Sequence, residues 1–172
     1  MPDEVVEILP GYQIRKARRG DIGRISDIAK HAWQRIHDST TEIMGKEMHG
    51  VLCANWEERK AQAVRGHWER NPECVRVVVE ATDGAVVAFL TFRLDPSRSL
   101  GTIGNNAVSP DCQGKGIGTA MYQYVLDLFR EEGMAYASVG TGLDEGHAMA
   151  RRAYEKAGFN IEQPHVTYYK EL

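Results

Sequence analysis

Three glycines at alternate positions, Gly114, Gly116 and Gly118, separate an apolar run ending at Val108 from an apolar helical pattern that begins at once after them. Glycine loses more conformational freedom on folding than any other residue, so such a cluster marks backbone that must turn tightly or be closely approached. A strand feeding a helix through this kind of turn restricts the chain to folds in which helices pack on a sheet. It also leaves free main-chain amides at a helix N-terminus, where they carry partial positive charge and receive anions once side chains are out of the way. Two familiar phosphate loops can be tested against it. A P-loop requires GxxxxGK[ST], yet Lys115 is followed by Gly116 and the first glycine would fall on Ser109. A dinucleotide fingerprint requires GxGxxG, and its last position falls on Thr119 or Met121 depending on the start. Both fail. What remains is Gln113-Gly-Lys-Gly-Ile-Gly as a loop that holds a diphosphate on bare amides, with a ligand-free glycine turn as the plain alternative.

The flanking sequence extends the pattern. Tyr12 to Ala17 alternates apolar and polar residues, as a half-buried strand does, and Gly20-Asp21 ends it. Asp21 is placed to cap a helix from Ile22 to about His37, with Ile22, Ile25, Ile28, Ala29 and Ala32 on one face. Asp38 to Asn71 reads as helical or mixed, and Asn71-Pro72 stops it. The β-branched run from Val75 to Ala81, a turn at Thr82-Asp83-Gly84, a second run from Ala85 to Leu94, a turn at Asp95-Pro96-Ser97 and a third run from Leu100 to Val108 form an antiparallel meander. A helix from about Gly116 to Glu132 follows, its apolar stripe read as Ala120, Met121, Tyr124, Val125, Leu128 and Phe129, with Gly133 in the left-handed position after its end. Met134 to Thr141 reads as a strand, Gly146 to Ala157 as a helix ended by Gly158, and Phe159 to Leu172 as one or two closing strands. The expected class is α+β: a mixed, largely antiparallel sheet flanked by helices on both faces, in a single domain covering residues 1–172.

Composition removes several classes of function. A net charge of −3 over 172 residues argues against a broad nucleic-acid surface. The basic run Arg15, Lys16, Arg18 and Arg19 reads as a solvated strand end. No stretch approaches the roughly 20 apolar residues that span a bilayer, and the acidic start MPDEVVEILPGY lacks the pattern of a signal peptide. Cys53, Cys74 and Cys112 are widely spaced without a CxxC. They suit free thiols in a reducing cytoplasm, and their spacing points to no zinc or other metal site.

At the glycine loop the sequence resembles the GNAT superfamily of N-acetyltransferases. Val108-Ser109-Pro110 followed by Gln113-Gly-Lys-Gly116-Ile-Gly118 resembles the family's first motif, and "HAMARRAYEKAGF", His147 to Phe159, resembles its second. The resemblance covers most of the chain except Asp38 to Asn71. It implies the acyl-CoA N-acyltransferase fold and acetyl-CoA as co-substrate, with Gln113, Gly114, Lys115, Gly116, Ile117, Gly118 and Thr119 holding its diphosphate. It further implies that Ala107 and Val108 pair with the pantetheine arm, and the amide of Val108 would polarise the thioester carbonyl. Opening that strand edge calls for an irregularity, expected at Asn105-Asn106. Tyr154 takes the place of the family's tyrosine that faces the coenzyme sulfur, and is the expected general acid. His147 stands where the family often has asparagine near the pantetheine, and Asp144 is placed to cap that helix.

The resemblance implies acetyl transfer to a primary amine of a small molecule or peptide. An alkyl amine with a pKa near roughly 10 arrives charged, so the site must remove a proton. Leu100 to Val108 contains no acidic residue, which leaves Glu80, His165 or a water held by Asn105 or Asn106. Trp33, His37 and Asn106 are candidate acceptor contacts, Trp33 and His37 lying four apart on one helix face; Trp56, His67 and Trp68 lie in the same region. A non-catalytic acyl-CoA sensor is the alternative reading. The exposed sheet edges of this fold make a homodimer reasonable.

Overall fold

A computed structural model describes residues 4–172. Six strands form one sheet in the order of the sequence: β1 (Val6–Leu9), β2 (Tyr12–Lys16), β3 (Val75–Glu80), β4 (Val86–Asp95), β5 (Leu100–Val108) and β6 (Tyr136–Val139). The first five are antiparallel to their neighbours, and β6 runs parallel to β5. Parallel pairing requires a crossover, and here the helix after the glycine loop supplies it.

The run Val75-Arg-Val-Val-Val shows how two cores arise from one strand. Val75, Val77 and Val79 face one side and pack with Ile22, Ile25, Ile28 and Ala29 of α1 (Ile22–Met44) and Val64 of α3 (Trp56–Arg70). Val78 faces the other side, with Leu90, Phe92 and Ile103, and meets Ile117, Met121, Val125 and Phe129 of α4 (Ile117–Glu131) and Tyr154 of α5 (Ala148–Lys156). Strand alternation makes both faces apolar, which is the signature of a sheet covered twice. Each such side chain taken from water contributes about 1.5–3 kcal/mol.

Between α1 and α3 lies the short helix α2 (Lys46–Leu52), so the stretch from Asp38 to Asn71 is helical with two breaks. The helix α1 runs seven residues beyond the expected His37, to Met44. Thr40 and Thr41, poor helix formers, satisfy their hydroxyls on the carbonyls of Ile36 and His37 at 2.8 and 2.7 Å. Gly45, at φ +82°, then ends the helix.

At the N-terminal end one strand is added and two expectations are revised. Val6–Leu9 forms a hairpin strand with β2, where the acidic composition of the segment had hidden its apolar alternation. Asp21 does not cap α1 through its side chain; its carboxylate accepts from the Arg18 amide at 2.7 Å and pairs with Arg15 at 2.7 Å. The basic run is a solvated end only in its second half: Arg18 and Arg19 are exposed, whereas Arg15 and Lys16 are largely covered and paired with Asp21 and Glu73. At the other end, the closing strands expected within Phe159 to Leu172 do not form. Residues 160–172 are exposed and carry no regular structure, because Val166 and Tyr168 find no strand to pair with and no face to pack on. No helix among the described residues is long and apolar enough to cross a membrane.

Candidate active site

Strands β5 and β6 pair only from Leu100 with Tyr136 to Ile103 with Val139. Beyond that point they part, and a cavity of about 790 Å³ opens between β5, α1, α4 and α5. A bulge starts the parting. Opposite Thr91, between the pairs Leu90–Asn106 and Phe92–Ile103, β5 carries two residues, Gly104 and Asn105. The irregularity thus lies one residue earlier than expected. Gly104 is required there, since a Cβ would stand 2.7 Å from the Thr91 hydroxyl. The bulge bends β5 and re-aims the side chains that follow it.

One wall of the cavity is backbone. The Ser109 amide donates to Val87 in β4 at 2.7 Å, so strand alternation turns the N–H and C=O of Val108 toward the cleft. There Gln113 Nε2 donates to the Val108 carbonyl at 3.1 Å. The loop then turns through Gly114 and Gly116, at φ +79° and +85°, conformations that side chains with a Cβ rarely adopt. The first α4 backbone bond runs from Ala120 to Gly116 at 3.1 Å, so the amides of Ile117, Gly118 and Thr119 are left at the helix mouth, and all three residues line the cavity. Ala107, Val108, Gln113, Gly114 and Gly116 line it as well. Lys115 does not: its ammonium turns outward to the Tyr12 hydroxyl at 3.4 Å, leaving only its backbone in the loop.

The opposite wall is a hydrogen-bonded trio. Asn106 Nδ2 lies 3.0 Å from the Gly104 carbonyl, a contact that only a donor satisfies, and this orients the amide. Its Oδ1 accepts from Tyr122 at 2.6 Å, and Nδ2 also donates to the Tyr154 oxygen at 3.1 Å. The Tyr154 hydroxyl also donates to that Oδ1 at 3.3 Å, so Asn106 holds the phenol from both ends of its amide at the edge of the cavity that Tyr154 lines. Burial raises the pKa of both phenols above the ordinary value, that of Tyr122 well above it, so both keep their protons at neutral pH. Asn106 therefore acts on Tyr154 and Tyr122. The expected stripe of α4 holds at Met121, Val125, Leu128 and Phe129, but it is Tyr122 that is buried beside them, while Tyr124 is only partly covered.

His147 lines the cavity with its Nδ1 2.6 Å from Asp144 Oδ2. The carboxylate of Asp144 thus orients the imidazole instead of capping the helix. Burial works against the Asp144 charge, but its hydrogen-bond and electrostatic partners, His147 first among them, together outweigh it and hold the carboxyl below its usual range. The loop carrying both presses onto α1, where a Cβ at Gly146 would meet Ile36 Cα at 2.8 Å and the Arg35 carbonyl at 2.9 Å.

At the far end of the cavity the helices contribute side chains. Trp33 lines it, and the ammonium of Lys60 lies 3.7 Å over the Trp33 ring while donating to Asn105 Oδ1 at 3.0 Å. Burial lowers the Lys60 pKa to about 8. Sequence reasoning missed this lysine, whose one signal was its place on a helix within the unmatched segment. His37 is not at the cavity. It stacks on Trp56 at 4.0 Å and faces His49, and burial, reinforced by His49, Lys60 and Arg59, lowers its pKa to about 4. Of the proposed bases, Glu80 and His165 lie outside the cavity lining and Asn105 lies within it; among the described lining residues there is no carboxylate.

An open strand edge that leads into a glycine turn and a bare helix N-terminus is the arrangement that the family resemblance implied. The family model described as acetyltransferase (GNAT) family matches residues 31–159. The chain belongs to this family. Over 98 residues, 57% of its length, the GNAT chain is 31% identical to a mycothiol acetyltransferase of Beutenbergia cavernae, and it spans about a third (32%) of that protein. Its fold matches the PaiA N-acetyltransferase of Thermoplasma acidophilum in complex with coenzyme A, with a TM-score of 0.69 at 14% identity over 90% of this chain and 92% of that one. It also matches YncA of Salmonella typhimurium with its cofactor acetyl-CoA, at TM-score 0.61 and 21% identity over 89% and 82%. The mixed, largely antiparallel sheet with helices on both faces is thus the GNAT fold.

Proposed function

We propose that this chain transfers the acetyl group of acetyl-CoA directly to a primary amine of a small molecule or peptide, with Tyr154 as general acid. Acetyl-CoA supplies the thioester. The amides of Ile117, Gly118 and Thr119 bind its diphosphate, and the edge of β5 at Ala107 and Val108 pairs with the pantetheine arm. The single observation that carries the reading is the Tyr154 hydroxyl: buried, protonated, held by Asn106, and lining the cavity beside the open strand edge. A thiolate with a pKa near about 8.5 can take that proton at little cost when the two groups are held together.

The amine must shed a proton. With no carboxylate lining the cavity, Lys60 near Asn105 is the group whose neutral form is reached at about pH 8, and it takes the proton directly or through water. The acceptor end carries Lys60 and Arg93 with no opposing acid. A carboxylate-bearing amine therefore suits it better than a polyamine.

The test is thiol release from acetyl-CoA across a panel of both kinds of amine. We expect turnover above hydrolysis, with kcat/KM about tenfold higher for the carboxylate-bearing members, the scale of one hydrogen-bonded charge. Coenzyme binding without amine-dependent release would turn the reading toward a sensor.

A further inference from the structure

The helical segment that carries no recognised motif holds a second cluster of reactive side chains. Gly45 turns the chain back after α1, so α2 lies beside the end of the helix it follows. His49 lies on α2 and Cys53 directly follows its last residue, four positions on; the Cys53 amide donates to the His49 carbonyl at 2.8 Å, so this closing turn puts both on the same face. That face meets His37 of α1. One ligand atom from each of His37, His49 and Cys53 lies within 4.8 Å of the other two, and His37 Nδ1 and His49 Nε2 are 3.1 Å apart. All three residues are partly covered, and the His37 ring is held flat against Trp56 at 4.0 Å.

We propose that His37, His49 and Cys53 form a zinc site that clamps α2 onto α1, leaving a fourth position for water. Two imidazoles and a thiolate are a preferred donor set for Zn2+, which binds nitrogen at about 2.0–2.1 Å and sulfur at about 2.3 Å in tetrahedral geometry. That geometry separates the donor atoms by about 3.3–3.6 Å. The two histidine nitrogens are already near this spacing, and a rotation of the Cys53 side chain closes the remainder. Zinc takes the thiolate, so binding releases the thiol proton to solvent. The site lies outside the acetyl-transfer cavity but on the helix that carries Trp33, and Trp56, which stacks on His37, opens the helix that carries Lys60. A bound ion would hold that wall in one position. The cysteine spacing hid the site, because its ligands are mostly histidine and come together only through the turn at Gly45.

The test uses the whole chain, stripped with a chelator and titrated with Zn2+ by calorimetry and with Co2+ by absorption. We expect one ion per chain with a Kd below about 1 μM, proton release, and a thiolate-to-cobalt charge-transfer band. Cys53→Ser should abolish that band, and His49→Gln should weaken binding at least tenfold. Cys74→Ala, at a thiol remote from the cluster, should change nothing. Helical circular dichroism shows whether each variant is folded, and His37→Gln gives a third ligand variant should one of the others unfold. Absence of stoichiometric binding, or binding that folded ligand variants leave intact, overturns the proposal.

Discussion

The two ends of the cavity are built by different means. At the end proposed to take the coenzyme the wall is main chain: the outward edge of β5 at Val108, the turn through Gly114 and Gly116, and the first amides of α4. At the end proposed for the acceptor the wall is side chains, Trp33 and Lys60, carried on helices α1 and α3. Backbone can be presented only if particular positions lack a Cβ or take positive φ, so that end restricts which residues can stand there. A side-chain wall has no such restriction and can be rebuilt for a new acceptor without disturbing the sheet. Tyr154 stands between the two, positioned by Asn106 just after the bulge.

The largest expected effect is at that junction. Tyr154→Phe should lower kcat by about 10²- to 10⁴-fold, the usual range for a lost general acid. Coenzyme affinity should change by less than about threefold, because uniform binding is untouched. Steady-state kinetics paired with coenzyme titration checks this, and an equal loss in both would make Tyr154 a wall residue only.

The same contrast explains what could be read from sequence. The glycine loop was legible because positive φ and close approach select residue types locally, at Gly114, Gly116 and Gly133 alike. The meander and the central strands were legible because β-branched runs buried on both faces leave a strong pattern. Lys60 was not, since burial against Trp33 and Asn105 is a tertiary event that leaves no mark on its neighbours in sequence. Tyr122 was missed for a smaller reason: with Tyr122 and Tyr124 both on α4, the stripe could be drawn either way, and only packing against Tyr154, with ring centroids 4.8 Å apart, decides it. The tail after Phe159 misled in the opposite sense. Its alternation is real, but a strand requires a partner, and none is paired with it.

Two substitutions in the loop sharpen the claim that backbone makes the coenzyme end. Gly116→Val forces a branched side chain into φ +85° and covers the helix mouth. It should weaken coenzyme A binding at least about 100-fold, or about 2.7 kcal/mol, and cost about 1–2 kcal/mol of stability. Gly118→Ala separates these effects. Its φ is ordinary, and its Cβ would make only normal contacts with Val108 at 3.8 Å and Tyr122 at 3.9 Å. An alanine in the helix should raise stability by up to about 1 kcal/mol. The added methyl should nonetheless weaken coenzyme binding, by about tenfold if the diphosphate sits against this amide. Calorimetry and thermal unfolding measured on the same samples distinguish the two signs.

The smallest effect tests the acceptor end through pH. Burial lowers the Lys60 pKa to about 8, whereas the unfolded chain holds that proton to about 10.4. Between those values the unfolded state binds more protons, so this lysine makes stability rise with pH. Below pH 8 both states are charged and its contribution is flat. Lys60→Met keeps the length of the side chain and removes the titration. The difference in stability between wild type and Lys60→Met should therefore be constant up to about pH 8 and move in favour of wild type above it. In thermal unfolding that is roughly 2–4 °C for each kcal/mol at this chain length. If Lys60 also accepts the amine proton, the limb of the kcat/KM profile near pH 8 disappears in the same variant. A stability difference that stays flat from pH 7 to pH 10 would mean that the ammonium is solvated, and the contrast between a backbone end and a desolvated side-chain end would lose its clearest member.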